Sequence, residues 1–101
     1  MIDIAILGST GSIGTNTLKS ISSERNFKIK LLSTNKNIKK LYQQAKKFNV
    51  KDVIINDKKI YLKNKKFFKE KKINSYYGFK NINKIIKKKL NYSINSISGI
   101  D

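Results

Sequence analysis

Apolar positions along the chain follow two alternating patterns, which predict strands and helices in turn. Short runs rich in β-branched residues at 2–7, 27–32 and 53–55 are typical of strands in a parallel sheet whose two faces are both covered. Between these runs, apolar residues spaced three and four apart predict amphipathic helices over residues 12–22 and 37–48. The first half of the chain therefore predicts strand, helix, strand, helix and strand.

The second half continues this alternation with weaker signals. Asn56 or Asp57 can cap a third helix, which runs through the lysine-rich residues 58–72. The remaining predicted elements are a weak strand at 73–77, an amphipathic helix at 81–90 and a strand at 94–100. The order predicts an α/β fold with a doubly wound, mostly parallel sheet, right-handed crossovers and helices on both faces. We expect residues 1–101 to form one Rossmann-like domain.

The second predicted strand differs from the first because lysines interrupt its apolar residues. Strict alternation places Phe27, Ile29 and Leu31 on one face of the sheet and Lys28 and Lys30 on the other. One face of this strand is therefore expected to be wetter than the corresponding face of the first strand.

Three glycines mark the junction between the first strand and the first helix. Gly8 allows a tight turn, Gly11 lets the backbone approach a ligand closely, and Gly14 lets the helix pack against the sheet. The hydroxyl residues among them are Ser9, Thr10 and Ser12. They lie at a helix N-terminus, where the helix dipole favours an anion. The pattern predicts a site for the pyrophosphate of a dinucleotide, and the alternative is a glycine-rich turn without a ligand.

The loop after the second strand bears on the choice of dinucleotide. Rossmann-type folds commonly place an acidic residue about 20 positions after the glycines, where it binds the ribose 2′-hydroxyl of NAD. Here that position falls in residues 33–37, and no acidic residue occurs between Glu24 and Asp52. Hydroxyls, amides and Lys36 can donate to a 2′-phosphate, so the loop favours NADPH over NADH. The alternative is an ordinary turn in which Lys36 is one lysine among many.

The net charge of +17 introduces a second class of function, a basic module that binds nucleic acid or another polyanion. Tyr76, Tyr77 and Phe79 would suit it, since aromatic side chains stack on single-stranded bases. However, 22 of the 23 basic residues are lysine, and the lysines are scattered over every predicted helix. Together with the abundant asparagine and isoleucine, they indicate an AT-rich genome. We therefore favour solvated lysines and expect no specific nucleic-acid partner.

Several residue types are absent, and their absence excludes some kinds of chemistry. The chain has no cysteine, histidine or proline. It therefore forms no disulfide or thiolate metal site and lacks the commonest general base. No apolar run approaches the ~20 residues of a membrane span, and the N-terminus has no signal-peptide pattern. We expect a cytoplasmic protein without a membrane partner.

The glycine loop and the second loop together resemble one enzyme family. Residues 6–15, followed by Thr17 and Leu18, closely resemble the N-terminus of 1-deoxy-D-xylulose 5-phosphate reductoisomerases, and Asn35-Lys36-Asn37-Ile38 resembles that family's second signature. Residues 44–48 and 53–57 resemble the next helix and strand in the right order. The resemblance thins beyond this point, although residues 94–101 fit the family's next strand.

The resemblance implies an NADPH-dependent oxidoreductase and isomerase of the methylerythritol phosphate route to isoprenoids. Such enzymes convert 1-deoxy-D-xylulose 5-phosphate, a sugar phosphate, to 2-C-methyl-D-erythritol 4-phosphate, and they form homodimers. The cofactor contacts that it implies are Thr10, Gly11, Ser12 and Ile13 in the first loop, and Asn35, Lys36 and Asn37 in the second. Asn35 stands where many members have glycine, so a backbone contact is expected there. Another NAD(P)-binding reductase domain with a similar loop is the alternative.

The chain also departs from this family, whose members are much longer. Their Mg²⁺ or Mn²⁺ ligands (one aspartate and two glutamates), their substrate-phosphate site and a lid all correspond to sequence beyond residue 101. The six acidic residues here form no cluster, so no catalytic or metal residue carries over. We expect an incomplete, inactive cofactor domain: a fragment, a truncated gene product or the product of a decaying pseudogene. The source is expected to be an AT-rich bacterial genome such as that of an endosymbiont.

Overall fold

A computed structural model gives the structure of the chain and describes residues 2–24 and 26–79. Strands and helices alternate in the order β1 Ile2–Ile6, α1 Ser12–Ser22, β2 Phe27–Thr34, α2 Ile38–Lys47, β3 Asp52–Ile55, α3 Lys58–Glu70 and β4 Asn74–Tyr77. The strands form one sheet in the order β1-β2-β3-β4, and every neighbouring pair is parallel. The predicted α/β fold is confirmed, while the helix predicted at 81–90 and the strand predicted at 94–100 lie outside the described residues.

Two of the three helices begin at side-chain caps that the sequence pattern indicates. The Asn37 side chain accepts a hydrogen bond from the Lys40 N–H at 3.2 Å, and Asp57 accepts one from the Ile60 N–H at 3.0 Å. Of the two residues proposed to cap the third helix, Asp57 is therefore the cap. Helix α1 differs, because Gly11 occupies its N-cap position and no side chain caps it.

The main core lies between the sheet and the three described helices. Leu18 of α1, Leu41 and Ala45 of α2, and Phe68 of α3 all belong to one cluster of buried residues, together with apolar residues from β1, β2 and β3. A smaller cluster on the other side of the strands is formed by Ala5, Leu7, Leu31 and Ile54, with Tyr76 packed against it. The described helices therefore cover one face, and helices on the second face stay a prediction for residues outside this range. No helix within the described ranges combines the length and apolar character of a membrane span.

A β-bulge in β2 overturns the simple alternation predicted for that strand. Ile4 of β1 pairs with Ile29, but Ala5 pairs with Leu31, so Lys30 is an extra residue in the ladder. Ile29 consequently contributes to the main core, whereas Leu31 contributes to the smaller cluster on the opposite side. The prediction that Phe27, Ile29 and Leu31 share one face is wrong, because the bulge resets which residues face the helices.

Strand β2 also extends two residues beyond its predicted end. Ser33 pairs with Ile54 and Thr34 pairs with Ile55, and both polar residues are almost completely buried. The turn predicted over residues 33–37 therefore begins only at Asn35. This extension brings two hydroxyl groups to the carboxyl edge of the sheet.

Two glycines carry the sharp connection from β1 to α1. Gly8 has φ of +69°, a left-handed conformation that glycine adopts without steric strain. Gly14 lies directly against the Gly8 carbonyl group, and a Cβ atom at Gly14 would approach Ser9 Cα to 2.7 Å. The predicted tight turn at Gly8 is confirmed, whereas the close approach at Gly14 is to Gly8 and Ser9 of the turn before α1 and not to a strand.

We predict that Gly14→Ala lowers the free energy of unfolding by about 1–3 kcal/mol, because the added methyl group must displace backbone atoms of the turn. Urea unfolding followed by circular dichroism measures this change. Asn16→Ala, on the exposed side of the same helix, is the matched control and should be neutral or stabilise by up to about 0.5 kcal/mol. Equal stability of Gly14→Ala and the unmodified chain would contradict the prediction.

Candidate dinucleotide-binding site

The candidate site lies at the edge of the sheet where the parallel strands end. The turn after β1, residues 7–11, and the loop after β2, residues 35–37, both start from this edge. Asn56 and Asp57, which follow β3, lie there as well. Parallel α/β sheets bind ligands in the crevice outside the carboxyl ends of their strands. The predicted cofactor residues fall on these two loops and, for Ser12 and Ile13, in the first turn of α1.

Hydrogen bonds attach the turn after β1 firmly to the end of β2. The Gly8 N–H donates to Ser33 Oγ at 2.7 Å, and the Ser9 N–H donates to the Ser33 carbonyl at 3.0 Å. The Thr10 and Thr34 hydroxyl oxygens are 2.6 Å apart. Since Ser9, Thr10, Ser33 and Thr34 are all buried, water competes little for these bonds. The turn is therefore held in one place relative to the sheet.

The Ser9 carbonyl oxygen accepts hydrogen bonds from two side chains. Thr15 Oγ1 of α1 donates at 3.1 Å, and Gln44 Nε2 of α2 donates at 2.8 Å. Gln44 is buried with 7% exposure, and its Oε1 has no hydrogen-bond partner within the described part of the chain. An unpaired buried acceptor of this kind costs about 1–3 kcal/mol. Gln44 thus connects helix α2 to the glycine turn, and the burial of its unpaired Oε1 opposes the stability that this contact contributes.

The N-terminus of α1 has the features of an anion-binding site. Gly11 is the N-cap, with φ of −76° and ψ of 171°, and its N–H donates to the Gly8 carbonyl at 3.0 Å. Helix geometry leaves the N–H groups of Ser12, Ile13 and Gly14 without intrahelical acceptors. The first turn contains no acidic residue, and Ser12 and Ile13 are exposed. The helix dipole and these N–H groups favour a phosphate at this position.

The loop after β2, which starts from the same edge of the sheet, carries one cationic side chain, that of Lys36. The Lys36 side chain is 75% exposed, and its Nζ lies 4.0 Å from Oδ2 of Asp57, the residue that caps α3. Asn35 Oδ1 accepts a hydrogen bond from Asn56 Nδ2 at 3.4 Å. The Asn37 N–H donates to Thr34 Oγ1 at 3.2 Å, so the Thr34 hydroxyl contacts both loops.

The structure brings the two groups of predicted residues to the same edge but gives them different roles. The buried Thr10 hydroxyl contacts Thr34, and the exposed Asn37 side chain accepts a hydrogen bond from the α2 backbone. Ser12, Ile13 and Lys36 are exposed, and helix geometry leaves the Ser12 and Ile13 N–H groups without intrahelical acceptors. Gly11 and Asn35 complete the predicted set in the two connecting loops.

Three residues have roles that the sequence did not predict: Ser33 and Thr34, expected as hydroxyl donors to a 2′-phosphate, are instead buried against the turn after β1, and Gln44 was not singled out. Ser33 and Thr34 were expected in a turn, although a β-branched threonine after an apolar run is itself a signal for a longer strand. Gln44 lies between Leu41 and Ala45 on the apolar face of α2. A polar residue within an apolar helix face indicates a specific buried partner, and that partner is the Ser9 carbonyl.

No metal site is found among the described residues, which contain no group of three or more potential histidine, cysteine, aspartate or glutamate ligands. Among the described residues, Asp57 is the acidic residue that follows β3 at this edge of the sheet. Its carboxylate caps α3 and lies beside Lys36.

Comparisons with known proteins agree on one family. The family model described as 1-deoxy-D-xylulose 5-phosphate reductoisomerase matches residues 4–101. The protein of that name from Pelagibacter ubique is 48% identical over 104 residues, an alignment that covers all of this chain and 27% of the relative. The apicoplastic protein from Plasmodium falciparum is 45% identical over 64 residues, covering 59% of this chain and 13% of the relative.

Solved structures lead to the same family. The reductoisomerase from Zymomonas mobilis in complex with NADPH superimposes with a TM-score of 0.74 at 26% identity, covering 91% of this chain and 24% of that one. A reductoisomerase in complex with NADPH, fosmidomycin and magnesium shares the fold with a TM-score of 0.69 at 24% identity, covering 88% of this chain and 22% of that one. The chain thus spans about a quarter of the length of these relatives. It belongs to the 1-deoxy-D-xylulose 5-phosphate reductoisomerase family.

Proposed function

We propose that this chain is the NADPH-binding N-terminal portion of a reductoisomerase that converts 1-deoxy-D-xylulose 5-phosphate to 2-C-methyl-D-erythritol 4-phosphate. The observation that carries the proposal is the helix α1 N-terminus, which has no side-chain cap and no acidic residue in its first turn. Hydrogen bonds tie the turn before it to the end of β2, from which the Lys36 loop starts. The relative from Zymomonas mobilis, solved with NADPH, shares this fold.

The proposed cofactor contacts divide between two phosphate groups. Backbone N–H groups of Thr10, Ser12 and Ile13 bind the pyrophosphate, where the helix dipole stabilises negative charge. Gly11, whose N–H donates to Gly8, lets the phosphate approach the backbone closely. Thr10 contributes through its backbone, since its hydroxyl contacts Thr34. The second loop, Asn35, Lys36 and Asn37, binds the adenosine 2′-phosphate.

Lys36 is the proposed determinant of the preference for NADPH over NADH. Its ammonium group is exposed and within 4.0 Å of a single carboxylate, Asp57. That carboxylate also caps α3, so it remains in place when the lysine turns toward a phosphate. A doubly charged phosphate competes well with one carboxylate for the ammonium group. Residues 35–37 contain no acid that would repel the phosphate.

The catalytic part of the reaction is proposed to lie outside these residues. Bound NADPH supplies the hydride for the reduction, and this chain's role is to hold and orient it. We propose that the 101 residues alone do not turn over substrate, which is consistent with the lack of a metal-ligand group in the described ranges. The sugar-phosphate substrate, the homodimer, the cytoplasmic location and the bacterial source stay predictions.

We predict that Ser12→Asp weakens NADPH binding at least about tenfold, or roughly 1.4 kcal/mol, because it places a carboxylate where the pyrophosphate binds. Ser12 is exposed in the first helical turn, so the same aspartate should leave the unfolding midpoint unchanged or slightly raised. Titration calorimetry gives the Kd. Asn16→Asp, exposed on the next turn, controls for the added charge. Wild-type affinity in Ser12→Asp would place the pyrophosphate elsewhere.

We predict that Lys36→Gln raises the Kd for NADPH about tenfold and changes the Kd for NADH less than about twofold, since only NADPH carries the 2′-phosphate. The NADPH titration should also lose part of its dependence on salt. Lys39→Gln, an exposed lysine in the first turn of α2, is the matched control and should leave both affinities unchanged. Equal effects of the two substitutions, or equal losses for both dinucleotides, would refute the role of Lys36.

A further inference from the structure

We infer that Gln44 is a positioning residue for the cofactor turn: its side-chain amide sets the orientation of the peptide between Ser9 and Thr10. Through that peptide it sets the direction of the N–H groups that receive the pyrophosphate. The inference rests on the proposed function and deepens it. Gln44 lies on α2, 35 residues along the chain from Ser9, so sequence proximity does not explain the contact.

The hydrogen bonds around Ser9 fall into two sets. Its N–H and Oγ are bound to β2, whereas its carbonyl group is bound to side chains of α1 and α2. The Ser9 N–H and Oγ both donate to the Ser33 carbonyl, at 3.0 and 3.2 Å, and fix the residue on β2. The Ser9 carbonyl leaves β2 and is held by Thr15 and Gln44 instead. Of these two, Gln44 is closer, at 2.8 Å against 3.1 Å, and more deeply buried.

Peptide geometry transmits this contact to the ligand side of the turn. In a trans peptide the carbonyl and the following N–H point in opposite directions. Holding the Ser9 carbonyl toward Gln44 therefore directs the Thr10 N–H away from α2. The next N–H, that of Gly11, donates back to Gly8 and closes the turn. Rotation of the Ser9–Thr10 peptide would therefore change the direction of the backbone N–H groups from Thr10 to the first turn of α1.

The cost of burying Gln44 indicates a role beyond filling the core. Its Nε2 has a partner, but its Oε1 is buried without one in the described part of the chain. A methionine has nearly the same length and volume and buries no unpaired acceptor. Thr15 would still satisfy the Ser9 carbonyl in its absence. We therefore expect an apolar residue at this position to support folding as well as glutamine does. The distinct contribution of Gln44 is the direction in which its side-chain N–H points.

The test compares Gln44→Met with Gln43→Met in the 101-residue chain. Gln43 is the exposed neighbour on the same helix and receives the same chemical change. For Gln44→Met we expect an unfolding midpoint in urea at or above that of the unmodified chain. We expect its Kd for NADPH to rise about tenfold, as for the loss of a well-placed donor. Gln43→Met should change neither quantity.

The role of Gln44 and the proposed function are contradicted by different results. If the unmodified chain binds NADPH and Gln44→Met binds it equally well, Gln44 does not position the turn, while the proposed function stands. If stability and affinity fall together in Gln44→Met, its role is structural and the inference is also overturned. If the unmodified chain does not bind NADPH, the proposed function fails. In that case the NMR amide resonances of Thr10 and Gly11 test the role of Gln44 separately. The inference requires these resonances to shift in Gln44→Met and not in Gln43→Met.

Discussion

The geometry of the site depends on the hydrogen bonds between the turn after β1 and the last two residues of β2. Backbone ladders join these strands along their length, but a ladder cannot hold a turn that has already left the sheet. Ser33 extends the attachment with its carbonyl and hydroxyl groups, and Thr34 extends it with its hydroxyl group. The bonds are buried, so each contributes more than an exposed bond would. This attachment therefore fixes the position of helix α1, which follows the turn.

A second constraint, the close approach of α1 to the turn, acts together with the first. Gly14 lets the helix backbone lie against the Gly8 carbonyl, and Gly11 starts the helix without a side chain over its first turn. Bulky residues at these positions would either lift the helix from the turn or cover its N–H groups. Anchoring from β2 and close packing from α1 therefore produce one result: a helix N-terminus that is fixed in place and open to an anion.

Local patterns were sufficient to predict much of this architecture. The amphipathic spacing in α2 and the cap at Asp57 depend on residues within a few positions of each other, and the structure agrees with both. The left-handed turn at Gly8 is likewise a local property. The contact from Gln44 to Ser9 could not be predicted in this way, because it depends on how α2 packs over the turn. The bulge at Lys30 also depends on the partner strand, since an extra residue is defined only against a register.

The extra residue in β2 also determines which way the following hydroxyl groups point. Side chains in a strand alternate strictly, so one additional residue reverses the facing of everything that follows it. After the bulge, Thr34 has the same facing as Leu32, which belongs to the helix-covered core. If β2 kept every residue but paired with β1 without the bulge, the threonine hydroxyl would project from the opposite side of the sheet and lose Thr10. Deletion of the single codon for Lys30 would instead make Ile29 and Leu31 neighbours, like their partners Ile4 and Ala5, so the ladder would become regular and Thr34 would keep its contact with Thr10.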